Sequence, residues 1–203
     1  MDKKEALEKL KIEMEQDKNL PLYGMSNLVF GEGDPNSRVI FIGEAPGFHE
    51  DRMGRPFVGR AGKLLDKLLE IVKWPRASVY ITNIVKRRPP GNRDPLPEEI
   101  EAYKPYLTKQ IEIIGPKMVV ALGRFSMAYF MPDAKISRDH GKAARIEKYI
   151  MVPLYHPAAA LRSTQVLKAL EEDFKNLPNL LNNVDNVKIE KPTEKETPQA
   201  PLF

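Results

Sequence analysis

The groups best suited to chemistry fall in four short segments of the chain: Gly43-Glu44-Ala45-Pro46-Gly47, Asn83, Gly123-Arg124 and His156-Pro157. Glu44, with Glu50 close behind it, offers carboxylates that can orient water or steady a developing cation. The amide of Asn83 presents an acceptor and a donor group side by side. His156 can donate a hydrogen bond as a neutral or as a protonated imidazole, and the sequence leaves that choice open. Each has a plainer reading, with Asn83 as a strand-end cap or Asx turn, His156 as a half-buried histidine and Phe57 as core. The 43–47 stretch lacks the lysine of a phosphate loop and the spacing of a dinucleotide turn, which argues against nucleotide binding. The sequence holds no cysteine, which excludes disulfides, thiolate metal sites, iron–sulfur clusters and cysteine nucleophiles by inventory. His49 and His140 read as surface residues, no metal-ligand spacing stands out, and Asp51 and Arg55 receive no reading.

Positioning these segments requires strands. Arg38-Val39-Ile40-Phe41-Ile42, Ser78-Val79-Tyr80-Ile81-Thr82, Lys117-Met118-Val119-Val120-Ala121-Leu122 and Tyr149-Ile150-Met151-Val152-Pro153-Leu154 are short apolar runs rich in β-branched residues. Such runs are typical of buried parallel strands. Helical patterns separate them, over 62–73, 97–114, 124–130 and about 164–181, and an amphipathic helix over 3–16 places Ala6, Leu7, Leu10 and Met14 on one stripe. The expected fold is therefore α/β, a three-layer α/β/α sandwich with a four-stranded parallel central sheet. Each polar segment follows a strand directly, and the carboxyl ends of parallel strands form the ligand crevice of open α/β sheets. The four segments, far apart in sequence, are thus expected to converge.

The 203 residues suit one such domain, over 1–182, followed by a polar, proline-containing tail over 183–203 that reads as disordered. Lys and Arg outnumber Asp and Glu by 32 to 28, a net charge of +4 that permits an anionic partner without identifying one. The stretch 1–16 is charged throughout, so no signal peptide or membrane span is expected there and the expected compartment is the cytoplasm.

Three longer stretches carry a resemblance. Gly43-Glu44-Ala45-Pro46-Gly47-Phe48-His49-Glu50-Asp51, with Gly54-Arg55-Pro56-Phe57-Val58-Gly59-Arg60-Ala61-Gly62, is similar to the first active-site motif of the family 4 uracil-DNA glycosylases and the uracil-stacking segment after it. Ile81-Thr82-Asn83-Ile84-Val85-Lys86-Arg87-Arg88-Pro89-Pro90-Gly91-Asn92-Arg93 resembles the family's segment with the base-reading asparagine. His156-Pro157-Ala158-Ala159-Ala160-Leu161-Arg162 resembles the loop with the family's uracil-O2 histidine and minor-groove wedge. The order of the motifs agrees, and the likeness runs over residues 28–181.

The resemblance implies monofunctional removal of uracil from DNA, with catalytic groups Glu44, Glu50 and His156 and a base pocket of Gly43, Ala45, Phe57 and Asn83. Phe57 would stack on the flipped uracil, a contact of about 1–3 kcal/mol per base in comparable sites. Asn83 would accept from uracil N3–H and donate to O4, and His156 would donate to O2 as negative charge gathers there. Ala45 stands where better-known relatives use an aspartate, so Glu44 and Glu50 remain the nearby carboxylates, with their roles undivided. Lys86, Arg88 and Arg93 would meet phosphates, and Leu161 with Arg162 would fill the gap left by the flipped base. Two further readings stay open: a DNA-binding relative that has lost turnover, and an enzyme of the same superfamily acting on another base.

One departure is large. The family ordinarily binds a [4Fe–4S] cluster through four cysteines, and the flanking motifs put Gln16, Asn19, Arg87 and Tyr103 at those places, so no cofactor is expected. The last residues, Gln199-Ala200-Pro201-Leu202-Phe203, resemble the peptide by which bacterial repair proteins bind a sliding clamp, with Gln199, Leu202 and Phe203 as anchors. The enzyme itself is expected to be a monomer.

Overall fold

The computed structural model describes residues 2–146 and 148–186, and the clamp anchors Gln199, Leu202 and Phe203 lie outside them. In chain order the strands are β1 (Glu32–Gly33), β2 (Val39–Gly43), β3 (Tyr80–Asn83), β4 (Met118–Leu122), β5 (Ala144–Ile146) and β6 (Tyr149–Leu154). They lie side by side as β1-β3-β2-β4-β6-β5. The inner four, β3-β2-β4-β6, are parallel, as the continuous apolar runs require of strands covered on both faces. Alternation divides their side chains between two cores. Ile40, Ile42, Tyr80, Val119, Ala121 and Met151 face one layer, whereas Val39, Phe41, Ile81, Met118, Val120 and Val152 face the other.

The sheet is larger than the four strands expected, because β1 and β5 add antiparallel edges and make it mixed. Neither edge leaves a hydrophobic pattern. β1 is two residues, and Gly33 serves there because a Cβ would stand 1.9 Å from the Val79 carbonyl oxygen.

The helices are α1 (Lys3–Gln16), α2 (Phe48–Met53), α3 (Arg60–Ile71), α4 (Pro97–Ile114), α5 (Arg124–Phe130), α6 (Ile136–Asp139), α7 (Pro157–Ala160) and α8 (Thr164–Asn182). The long ones stand where the 3.6-residue pattern puts them, and α2, α6 and α7 are too short to display one. α1 buries Leu7, Leu10 and Met14 in the layer that α4 helps to build, and Lys3 Nζ donates to the Ile114 carbonyl at the C-terminus of α4, 2.7 Å away. On the other face Phe174 of α8 stacks on Phe41, with ring centroids 5.7 Å apart. Val184, in the turn Val184–Asn186, joins that core beside Leu181.

What this architecture does for function is set by register. Gly43 and Asn83, the last residues of β2 and β3, are direct partners, and β6 runs out within two residues of His156. The Ser126 hydroxyl of α5 donates to the Ile42 carbonyl at 2.6 Å, pinning the end of β2 from the opposite layer.

Candidate active site

Gly43 sets the centre of the site. A Cβ at this position would lie 2.4 Å from Asn83 Oδ1 and 2.5 Å from Phe57 Cζ, so only glycine lets the amide and the ring approach the same strip of bare backbone. Asn83 is 2 % exposed and Phe57 is buried beside it.

The backbone of Phe57 is left-handed, with φ +51°, an uncommon conformation for a bulky residue that surrounding contacts must enforce. Three contacts do so. Glu50 Oε1 accepts from the Val58 and Gly59 N–H groups at 2.9 and 2.7 Å. Arg76 Nη2 donates to the Pro56 carbonyl at 2.6 Å. Gly62 of α3 backs onto Phe57 so tightly that a Cβ there would be 1.9 Å from the Phe57 carbonyl oxygen. Arg76 is held in turn by Glu32 and Asp66, and Glu32 also takes Arg55, which gives Arg55 a bracing role behind the loop. Asp51 accepts from the Asn27 N–H at 2.7 Å and so fixes α2 to the segment before β1. Glu50 is thereby engaged in shaping the Phe57 turn.

His156 caps α7, its Nδ1 accepting from the Ala158 N–H at 3.1 Å. That bond assigns the ring proton to Nε2, which is therefore a donor. Burial pushes the imidazole down to about 4, against the opposing pull of Glu50, so the ring is neutral at physiological pH. The ring lies on Phe57 with centroids 5.6 Å apart.

Glu44, Ala45, Gly123, Arg124, Tyr155 and His156 line one cleft of about 620 Å³ at the carboxyl ends of the strands, which brings three of the four segments together. The fourth, Asn83, does not line that cleft: it is buried against Gly43, as is Phe57. Burial, then the charge of Asp94, pushes the Glu44 carboxyl up to about 7, against Arg124. Arg124, one of the segments expected to converge, pairs with Asp94 across the cleft wall at 2.7 Å, and Asp94 is the electrostatic partner that no signal in the sequence announced.

The basic residues separate. Lys86 is not a phosphate contact, because it is fully buried, donating to Thr82 Oγ1 at 2.6 Å and to Gln110 Oε1 at 2.5 Å. Burial also holds its ammonium well below the usual lysine range. The alternation of Tyr80, Thr82, Ile84 and Lys86, continued past the strand, carried this information. Arg93 lines the cleft with its guanidinium forked onto Glu99 at 2.6 and 2.9 Å, tying the proline-rich loop to the start of α4. Arg88 does not line the cleft, its Nε donating to Asn92 Oδ1 at 2.6 Å. Arg162 lines the cleft and the adjacent Leu161 is 43 % exposed. His140 is not a free surface residue: its Nδ1 is 2.7 Å from Asp173 Oδ2 and its ring lies 4.6 Å from that of Tyr155, beside His156.

The corner where the resemblance implies an iron–sulfur cluster does not fit one. The Tyr103 side chain is buried with its hydroxyl donating to the Pro21 carbonyl at 2.7 Å, and the buried Arg87 guanidinium donates to the Ser26 carbonyl and lies 5.2 Å over the Tyr23 ring. A cation and a phenol fill the space, without a thiolate. Among the described residues no group of His, Cys, Asp or Glu is arranged to hold a metal ion.

Residues 30–179 match the family model of the uracil DNA glycosylase superfamily. A type-4 uracil-DNA glycosylase of Sulfurisphaera tokodaii is 46 % identical over 187 residues, covering 87 % of this chain and 85 % of that protein. One of Saccharolobus solfataricus is 47 % identical over 167 residues, 77 % of each chain. One of Thermotoga maritima is 41 % identical over 161 residues, 77 % of this chain and 84 % of that one.

Proposed function

Because the chain belongs to the uracil DNA glycosylase superfamily, and within it to the type-4 uracil-DNA glycosylases, we propose that it excises uracil from DNA by hydrolysis of the N-glycosidic bond and that the residues of the cleft divide the work as follows. The observation that carries this reading is the meeting of Asn83 and Phe57 over the bare backbone of Gly43, with the Nε2 donor of His156 beside them. A flipped uracil stacks on Phe57, and the Asn83 amide accepts from N3–H and donates to O4. Cytosine, with a bare N3 and an amino group, reverses both contacts. His156 donates to O2 as the departing base becomes an anion, a contact that strengthens only as charge develops. Because the imidazole is neutral, it stabilises the anion as a dipole rather than as a counter-ion.

Glu44 orients the attacking water and steadies the cationic sugar, since its carboxyl lies in the cleft and titrates near neutrality. Glu50 acts by holding the Phe57 turn. Leu161 and Arg162 fill the gap in the stack, and Arg88 with Arg93 meets the backbone. The enzyme works as a monomer in the cytoplasm, and Gln199, Leu202 and Phe203 tether it to a sliding clamp. That tether is tested by titrating a peptide of the last ten residues against the clamp, with Leu202→Ala, Phe203→Ala as control.

The decisive experiment is incubation with an end-labelled oligonucleotide carrying one uracil, followed by alkaline cleavage. A single break at the uracil position is the expected result, and an intact strand overturns the reading.

A further inference from the structure

Phe48 is a large apolar side chain left 46 % exposed, on the first residue of α2 and one step from Gly47 in the cleft wall. Two guanidiniums stand over its ring, Arg88 at 5.2 Å and Arg52 at 5.7 Å from the centroid. The surroundings are built rather than loose. Asn27 holds Asp51 of the same helix by two hydrogen bonds, and the Ser26 hydroxyl donates to the Arg88 carbonyl at 3.1 Å. Arg88 is fixed further by Asn92, with Asp51 4.0 Å away.

The two cations differ. Arg88 is anchored, whereas Arg52 makes no ion pair among the described residues. The ring therefore has one anchored cationic neighbour and one that makes no ion pair among the described residues. An exposed aromatic ring beside a guanidinium that makes no ion pair among the described residues suits a nucleobase with its phosphate, the base stacking on the ring and the cation meeting the backbone.

We propose that Phe48 is a stacking platform for an unpaired base next to the extruded nucleotide, and that it gives the enzyme a preference for single-stranded DNA. This rests on the reading of the cleft as a uracil-DNA site. Pro46, Gly47, Pro89 and Asn92 line the cleft and Phe48 follows Gly47 directly, so the platform stands beside the cleft, within reach of a nucleotide next to the extruded one. In a duplex that neighbour stays paired and stacked, and its faces are covered. In a single strand it is free to lie on the ring.

The test is an anisotropy titration of the full chain, and of Phe48→Leu and Phe48→Trp variants, with a uracil-free single strand and with its duplex. Phe48→Leu keeps an apolar side chain at an exposed position and removes only the aromatic face. It is expected to weaken single-strand binding by about 5- to 150-fold, the range of one lost base stack, with a smaller effect on the duplex. Phe48→Trp is expected to restore the single-strand affinity. Unchanged single-strand binding by Phe48→Leu overturns the proposal, as does equal weakening on both DNAs. Uracil release by the unaltered chain is scored separately. Its absence counts against the uracil reading, whereas the binding series alone decides the platform.

Discussion

Glu44 and His156 share one cleft, yet their proton affinities move in opposite directions, the carboxyl up to about 7 and the imidazole down to about 4. Two titrating groups driven apart in this way permit an assignment of roles by pH. If the Glu44 carboxylate orients water, single-turnover excision rises as pH passes through about 7 and levels above it. Glu44→Gln should flatten that profile and slow excision, by roughly 10²-fold or more. His156→Ala should slow excision by about 10²–10³ with DNA affinity retained, and should keep the inflection near 7. An inflection that vanishes in His156→Ala assigns the titration to the wrong residue. Stability supplies a second check. The raised Glu44 pKa contributes stability below the unfolded value of 4.5 that is lost as pH rises through about 7, so Glu44→Gln should unfold at a higher temperature than the parent above pH 7. The lowered His156 pKa works the other way, its contribution being lost as pH falls from 6.5 toward 4.

At the scale of elements, the site depends on how closely α3 backs onto the Phe57 turn. Gly62→Ala puts a methyl group 1.9 Å from the Phe57 carbonyl oxygen, a collision with backbone that no rotamer relieves. The helix must then retreat or the turn must give up its left-handed φ. Denaturant unfolding should show a loss of about 1–3 kcal/mol, the usual cost of overpacking, and uracil excision should fall further than stability explains. Excision at the parent rate by a folded Gly62→Ala protein removes the turn from the site. The turn also marks where sequence reading stops. Strands β2, β3, β4 and β6 and the helices α1, α4 and α5 were legible because apolar periodicity reports burial directly. Asn83, Glu44 and His156 were legible as polar residues following buried strands. What a period cannot report is the partner of a polar group. Glu50 looks in sequence like a carboxylate for orienting water or steadying a cation and engages two backbone amides, and Lys86 looks like a phosphate contact and lies in the core. The two-residue edge β1 and the one-turn helix α7 are shorter than any period that would announce them.

For the molecule as a whole, the question is what fastens the N-terminal segment to the sheet in a family whose members ordinarily use an iron–sulfur cluster. Three kinds of contact span the join. Leu7, Leu10 and Met14 of α1 enter the core, Tyr103 of α4 bonds the Pro21 carbonyl, and Arg87 reaches from the end of the β3 loop to Ser26 and Tyr23. Apolar burial supplies most of the energy, since fully burying one such side chain is worth about 1.5–3 kcal/mol, whereas a neutral hydrogen bond contributes about 0.5–1.5 kcal/mol. The polar contacts then fix where the segment sits. Tyr103→Phe keeps the ring and removes one bond, so it should cost about 1 kcal/mol. Met14→Ala empties a fully buried position and should cost about 2–5 kcal/mol. Neither cost should depend on metal. Thermal unfolding of the parent and both variants, with and without a strong chelator and a reductant, should give the same midpoints in each pair. A midpoint that drops on chelation would mean that an ion shares the work assigned here to Arg87 and Tyr103. If Tyr103→Phe loses as much as Met14→Ala, the hydrogen bond, and not the buried face of α1, is the principal fastening of this corner.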